Sequence, residues 1–199
     1  MKFIVIWLLL LVYAVFLAPG SEGSDPVIEQ VFSGNLDAID PLVLTIFNSL
    51  GIFPLVFLTI LLRNDRQKWP AWPFSLAAFA GGAFALLPWF AFGDRPKKRD
   101  LRTQGWILRI LRSKIWLILL LIIFIGNLLT LLQGVSLAGY SEAFMESSLV
   151  SVMTVDWFIL WWLSVYAIHR FYPDAKRKGL AWIPIAGSVL VLFFVKEDH

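Results

Sequence analysis

Three polar side chains inside apolar stretches of the sequence are the residues that could do chemistry. Asp156, Asn127 and Asn48 each lie seven or eight residues from one end of a long apolar stretch. At about 1.5 Å per residue, each would lie roughly 10–12 Å from that helix end. If the three ends share one side of a membrane, the residues form an intramembrane polar cluster at one depth. Further polar residues of that predicted layer are Thr45, Ser49 and Thr130.

The predicted cluster has a functional and a structural interpretation. A carboxylate near the centre of a bilayer costs about 2.5–3.5 kcal/mol and therefore often serves a function. Asp156 could then form a proton or cation site, or contact a pigment, a quinone or a lipid headgroup. Alternatively, the cluster consists of interhelical hydrogen bonds, each contributing about 0.6–2 kcal/mol. The apolar stretches offer Asp156 no Lys, Arg or His partner, which favours the structural interpretation over a proton relay.

The composition places these side chains in a membrane protein. Hydrophobic residues make up 59% of the 199 residues and charged residues 16%, which is more apolar surface than a soluble domain of this length can bury. The absence of cysteine excludes a disulfide scaffold, thiolate catalysis and cysteine-based metal sites. No nucleotide-binding glycine motif, P-loop or His-Glu-x-x-His motif occurs. We therefore predict no enzyme, no catalytic residue and no metal site.

Six apolar stretches must position the polar residues. We predict one all-α integral membrane domain over residues 1–199, a polytopic transmembrane helical bundle of five to six hydrophobic helices with a basic amphipathic cytoplasmic linker. The candidate spans are 3–18, 41–62, 71–92, 115–135, 149–168 and 180–195. The first stretch could instead be a cleaved signal peptide, with Lys2 as its charged start and Ala18-Pro19-Gly20 as a weak cleavage site.

The distribution of Lys and Arg indicates how the stretches cross. Positive residues of short loops stay on the cytoplasmic side. Six crossings with the N-terminus inside would leave five bases inside and twelve outside, and the inverted arrangement reverses those numbers. If stretch 71–92 enters and leaves on one side, 16 of the 17 bases lie inside and only Lys196 lies outside.

Stretch 71–92 therefore has two alternative structures. Gly81-Gly82 at its middle, Pro73 near its start and Pro88 near its end are places where a membrane helix can break. This favours a re-entrant hairpin, and only that arrangement gives the three polar residues one depth. Its 22 residues are also long enough for a plain crossing, in which small residues form a ridge for a neighbouring helix. That ridge comprises Ala77, Gly81 and Ala85.

The basic linker before the fourth stretch is the second candidate site. Its Ile107, Ile110 and Leu111 recur at helical spacing, which predicts an amphipathic helix on the cytoplasmic surface. Anionic lipid headgroups would hold it by about 1 kcal/mol per base; the alternative is a topology signal alone. No nucleic-acid motif occurs in it. The predicted lipid-binding bases are Arg95, Lys97, Lys98, Arg99, Arg102, Arg109, Arg112 and Lys114.

Several motifs from residue 40 onward suggest a family. They are Asp40-Pro41-Leu42, Phe47-Asn48, Gly51-Ile52-Phe53-Pro54-Leu55, Pro70-Ala71-Trp72-Pro73-Phe74, Gly82-Ala83-Phe84-Ala85-Leu86-Leu87-Pro88, Val155-Asp156-Trp157-Phe158 and Ile183-Pro184-Ile185-Ala186-Gly187. With them the chain resembles a family of uncharacterised multi-pass membrane proteins of cyanobacteria and chloroplasts. The resemblance implies a photosynthetic membrane and supplies no biochemical activity.

We expect a non-enzymatic integral membrane protein that packs against partner helices or pigments, as an interaction, assembly or stabilising factor. Its location would be a thylakoid membrane or a bacterial plasma membrane. The alternative is a small transporter or channel subunit for protons or cations that uses Asp156. The expected partners are the lipid bilayer, its anionic headgroups and other membrane proteins, but not nucleic acid. No cofactor is expected, and a pigment or quinone contact stays open.

Overall fold

The computed structural model describes residues 2–20, 25–35, 39–93 and 100–195, and this part of the chain is helical with connecting loops and without strands. The all-α prediction is confirmed for it. The helices are α1 (Lys2–Val12, continued by a π-helical turn Tyr13–Leu17), α2 (Pro26–Ser33), α3 (Pro41–Leu62), α4 (Ala71–Phe92), α5 (Gly105–Arg112), α6 (Lys114–Leu129, continued by a 3₁₀ turn Thr130–Gln133), α7 (Leu137–Glu146), α8 (Ser148–Phe171), a 3₁₀ turn Lys178–Trp182 and α9 (Ala186–Phe194).

Four helices in the described ranges are long and apolar enough to cross a membrane. They are α3, α4, α6 with its continuation to Gln133, and α8. The first predicted span forms a shorter apolar helix, Lys2–Leu17. The last predicted span is divided between the 3₁₀ turn and the nine residues of α9. Length and composition thus identify a membrane protein with four candidate spans, where the sequence predicted five to six hydrophobic helices.

Helix α4 reverses its direction at its middle. Gly82 has a positive φ of 46° and a ψ of −127°, outside the helical range. Beyond this break, the indole Nε1 of Trp89 donates a hydrogen bond to the carbonyl of Trp69 at 3.1 Å, 20 residues back. A continuous helix would separate residues so far apart in the chain by about 30 Å. Residues 71–81 and 83–92 are therefore the two arms of a hairpin, which agrees with the re-entrant alternative for this stretch.

A tryptophan from α1 compensates the proline in the second arm. Pro88 has no N–H, so the carbonyl of Phe84, four residues earlier, lacks its usual helical donor. The indole Nε1 of Trp7 donates to that carbonyl at 3.0 Å. In an apolar environment an unpaired carbonyl costs several kcal/mol, so this bond fixes α1 against the α4 hairpin.

The segment 177–194 also folds back on itself. Trp161 in α8 donates its indole N–H to the carbonyl of Trp182 at 3.1 Å, and Ile185 then takes a positive φ of 59°. Helix α9 returns from there, and its Phe194 ring lies 4.1 Å from the guanidinium carbon of Arg177. The start and the end of this segment are thus adjacent.

These contacts define two ends of the molecule. At one end, Asp25 binds the start of α8 through the backbone N–H of Leu149. At the other end, Lys2 lies over the ring of Tyr166 near the end of α8. Both ends of the α4 hairpin belong to this second end, since the Trp89 ring packs against Phe171. We call it the basic end, because Lys2 lies there together with Arg170, whose guanidinium carbon is 5.4 Å from the centre of the Phe171 ring.

Candidate functional site at the tip of the hairpin

The side chain of Asp156 lies at the tip of the α4 hairpin. It projects from α8, is only 4% exposed, and its Oδ1 accepts a hydrogen bond from the backbone N–H of Ala83 at 2.8 Å. Ala83 begins the second arm, where the first N–H groups of a helix lack partners within it. The positive end of that arm's dipole also favours a carboxylate. Asp156 therefore caps a helix that lies 73 residues away in the chain.

Glycine is required at position 82 for two reasons. Its φ of +46° is one that residues with a Cβ rarely adopt. A Cβ there would also overlap the carboxylate of Asp156, whose Oδ2 is the nearest atom. The neighbouring Gly81 is different, because a Cβ added to it would meet only ordinary contacts at 3.9–4.0 Å. The Gly81-Gly82 pair that the sequence marked as a breaking point thus has one obligatory glycine.

A lateral groove of about 370 Å³ lies beside Asp156, between α3, the first arm of α4 and α8. Two of its lining side chains are polar, Asp156 and Asn48, and Asn48 is exposed. Phe47 and Phe79 are 41% and 48% exposed and flank the groove. The remaining lining residues are Leu50, Gly51, Ala78, Ala80, Gly81, Gly82, Phe84, Leu149, Val152 and Met153. The groove therefore combines one carboxylate with apolar walls.

Asn127 occupies a different site. Its Nδ2 donates to the carbonyl of Thr45 and to Oγ of Ser49, both at 3.0 Å, and so joins α6 to α3. Its buried Oδ1 has no hydrogen-bond partner in the described part of the chain. Among the described hydrogen bonds, none joins Asn127 to Asp156. The three predicted residues are therefore divided: Asp156 and Asn48 share the groove, while Asn127 is a buried link between helices.

In the basic linker, Arg102 binds protein groups. Its guanidinium contacts Oδ1 of Asp65 at 3.2 Å and the carbonyl of Gln67 at 3.1 Å. Asp65 in turn accepts the backbone N–H of Ala71, the first residue of α4, at 3.3 Å. Burial raises the pKa of Asp65, and the bonds from Ala71 and Arg102 offset only part of this rise. Arg102 thus holds the base of the α4 hairpin.

The other predicted lipid-binding bases have different positions. Arg109 and Arg112 lie in the last turn of α5, whose Leu111 is buried and whose Trp106 is exposed. Lys114 begins α6, and its Nζ lies 5.5 Å from the ring centre of Phe193 in α9. Four predicted bases lie outside the described residues, namely Arg95, Lys97, Lys98 and Arg99.

The sequence did not predict that Asp25, at the end opposite the basic end, joins the starts of two helices. Its Oδ1 accepts the N–H groups of Val27 and Ile28 at the start of α2. Its carboxylate also accepts bonds from Ser147 and Leu149 at the start of α8. Burial alone would raise its pKa, but these hydrogen bonds outweigh that effect and lower the pKa of Asp25 below its usual value. The Asp-Pro sequence at 25–26 is typical of a helix start and therefore indicates that Asp25 caps α2. It does not indicate that Asp25 also caps the start of α8.

In the described part of the chain, no group of three or more acidic, His or Cys side chains could hold a metal ion. Comparison of the chain with protein-family models, curated proteins and solved structures finds no match. The resemblance to membrane proteins of cyanobacteria and chloroplasts therefore stays a prediction.

Proposed function

We propose that the protein is a non-enzymatic integral membrane protein with four crossings, α1, α3, α6 and α8, and two re-entrant hairpins. The hairpins are α4 and segment 177–194. The contacts between Trp89 and Trp69 and between Arg177 and Phe194 support both reversals. In this arrangement the basic end faces the cytoplasm, as expected for short loops rich in Lys and Arg.

We propose that its role is to bind a membrane-resident ligand or partner in the lateral groove beside Asp156. The observation that carries this proposal is the buried carboxylate at the hairpin tip, which lines an otherwise apolar groove. Pockets that recognise ligands typically combine apolar walls with a few oriented polar groups. The lining includes one titratable side chain, which supports binding over acid–base catalysis. This role agrees with the interaction or assembly function expected from the sequence.

A groove-filling variant tests this role. Gly51 lines the groove, and a Cβ at this position would meet nothing within 4 Å. Gly51→Leu should therefore fill the groove without a clash, while Gly126→Leu is a matched control on the exposed surface of α6. The proteins are purified from native membranes in mild detergent, and bound polypeptides and small molecules are identified by mass spectrometry.

The proposal predicts a molecule that the wild type and Gly126→Leu retain and Gly51→Leu loses. If all three proteins retain the same molecules, or none retains any, the groove is not the binding site.

A proton or cation transporter is the second candidate. The specific observation in its favour is a membrane helix broken beside a buried carboxylate, as in secondary transporters whose broken helices form ion sites. Asp156→Asn should then abolish ion flux into liposomes. A binding role predicts no flux in the wild type above protein-free liposomes.

We further propose that α5 lies on anionic headgroups through Arg109 and Arg112, in the last turn of an exposed amphipathic helix. A thylakoid or bacterial plasma membrane is the proposed location.

A further inference from the structure

We infer that the groove beside Asp156 binds a hydrophobic organic cation, such as a protonated amine that dissolves in the bilayer. This inference rests on the proposed binding function and adds the chemical class of the ligand. Three features of the groove carry it: an incompletely paired carboxylate, aromatic walls and lateral access.

The carboxylate of Asp156 lacks a positive partner in the described structure. Its described hydrogen bond, from the N–H of Ala83, uses Oδ1. The groove-lining side chains include no Lys, Arg or His. Charged groups inside a membrane usually pair with an opposite charge, because hydrocarbon solvates them poorly. A cationic ligand would supply that charge, whereas an anionic ligand would be repelled.

The walls of the groove suit the apolar part of such a ligand. Phe47, Phe79 and Phe84 offer aromatic rings, whose faces attract organic cations. The thioether of Met153 adapts to irregular ligand shapes. A volume of about 370 Å³ lies in the range of small-molecule sites, roughly 300–1,000 Å³. The size therefore fits a small amphiphile.

The groove is open at the side of the helices. Phe47 and Phe79 are exposed and flank it, while Asp156 lies eight residues into α8. At about 1.5 Å per residue, the carboxylate is roughly 12 Å from the start of that helix. A ligand that enters from the hydrocarbon region reaches Asp156 with its charged group inward. Partition into the bilayer would concentrate amphiphilic amines in the membrane around the protein.

The test compares a protonated amine with a neutral analogue. Phenylbutylamine and phenylbutanol share an apolar body, and their binding to the protein in lipid nanodiscs is measured by titration calorimetry against empty nanodiscs. Asp156→Asn keeps an oxygen acceptor for Ala83 and removes the charge. We expect this change to weaken amine binding about tenfold or more and to leave phenylbutanol unaffected. Gly51→Leu should reduce amine binding, and Gly126→Leu should not.

Two results would overturn the inference. One is equal amine affinity in the wild type and a folded Asp156→Asn protein, and the other is equal affinity of the wild type for the amine and the alcohol. Failure here is distinct from failure of the proposed function. A neutral molecule or a polypeptide that is retained from native membranes and lost in Gly51→Leu would sustain the binding role and refute the cationic ligand.

Discussion

Oδ1 of Asp156 and the backbone N of Ala83 lie 2.8 Å apart, although 73 residues separate them in the chain. Their hydrogen bond joins α8 to the tip of the α4 hairpin. An N–H group at membrane depth has no water to bind and needs an acceptor from the protein. The same carboxylate lines the lateral groove, so the bond that fixes the hairpin also positions the carboxylate toward the proposed ligand.

The first prediction separates the hydrogen bond of Asp156 from its charge. Asp156→Leu removes the acceptor and leaves the N–H of Ala83 unpaired, which should lower the free energy of unfolding by about 1–3 kcal/mol. Asp156→Asn keeps an acceptor oxygen and should cost less. Thermal unfolding in detergent measures both variants. Equal destabilisation by Leu and Asn would show that the bond to Ala83 does not hold the hairpin.

The second prediction concerns the two glycines of the hairpin tip. Gly82→Ala forces a side chain into a positive φ and against Asp156, so we expect a loss of about 1–3 kcal/mol. Gly81→Ala has room for its Cβ and serves as the matched control, with little change. The thermal midpoints of the two variants are compared in the same detergent. A Gly82→Ala protein as stable as the control would contradict the break at this residue.

The third prediction tests whether Trp7 compensates Pro88. Trp7→Phe removes the indole donor to the Phe84 carbonyl and should cost about 1 kcal/mol in hydrogen bonding, besides its packing cost. In a Pro88→Ala background, the new N–H at position 88 can donate to the same carbonyl. The cost of Trp7→Phe should therefore be smaller there, as measured by a double-mutant cycle of unfolding free energies. Additive effects would refute the compensation.

The fourth prediction concerns acid stability and Asp25. Its pKa is lowered in the folded protein, so its ionised form contributes stability that is present above its ordinary pKa of 3.8 and is lost as the pH falls through the lower folded value. Asp25→Asn should reduce stability at neutral pH and flatten the loss of stability on acidification below that pKa.

Asp65→Asn is the control for this experiment, because the pKa of Asp65 is shifted in the opposite direction. Its pKa is raised, so the protonation of Asp65 favours the folded state as the pH falls from the raised value to the ordinary one. Unfolding midpoints are measured from neutral pH to below 3.8, so that the range covers the lowered pKa of Asp25. The Asp65→Asn protein should still lose stability below 3.8, because its Asp25 is intact. An unchanged profile in Asp25→Asn would contradict the role given to its hydrogen bonds.

Hydropathy alone predicted the bounds of two helices. The observed α3 and α4 have the predicted bounds, and Asp40 caps α3 through the N–H of Leu42. Thr45 and Ser49 were expected in the polar layer. The hydroxyl of Ser49 accepts a bond from Asn127, whereas Thr45 accepts one through its backbone carbonyl. Local sequence suffices for the helix bounds and the cap, because neighbouring residues determine them.

The reversals and the pairing of Asp156 were harder to predict. Hydropathy depends on composition and not on the direction of the chain. A hairpin of 22 residues and a crossing helix of 22 residues therefore have the same hydropathy. The fold-back near Ile185 depends on Trp161 and Phe194, which belong to different helices. The partner of Asp156 is a backbone N–H, and a sequence shows no sign of which N–H groups a break leaves unpaired.

The re-entrant hairpin is tested by finding on which side of the membrane each end of α4 is exposed. The chain has no cysteine, so Arg66→Cys, Asp100→Cys and Leu137→Cys each introduce one thiol at an exposed position. A membrane-impermeant maleimide is applied to vesicles of both orientations. With a re-entrant α4 and a crossing α6, positions 66 and 100 react from the same side and position 137 from the opposite side. Reaction of 66 and 100 from opposite sides would contradict the re-entrant hairpin and the placement of Asp156 at its tip.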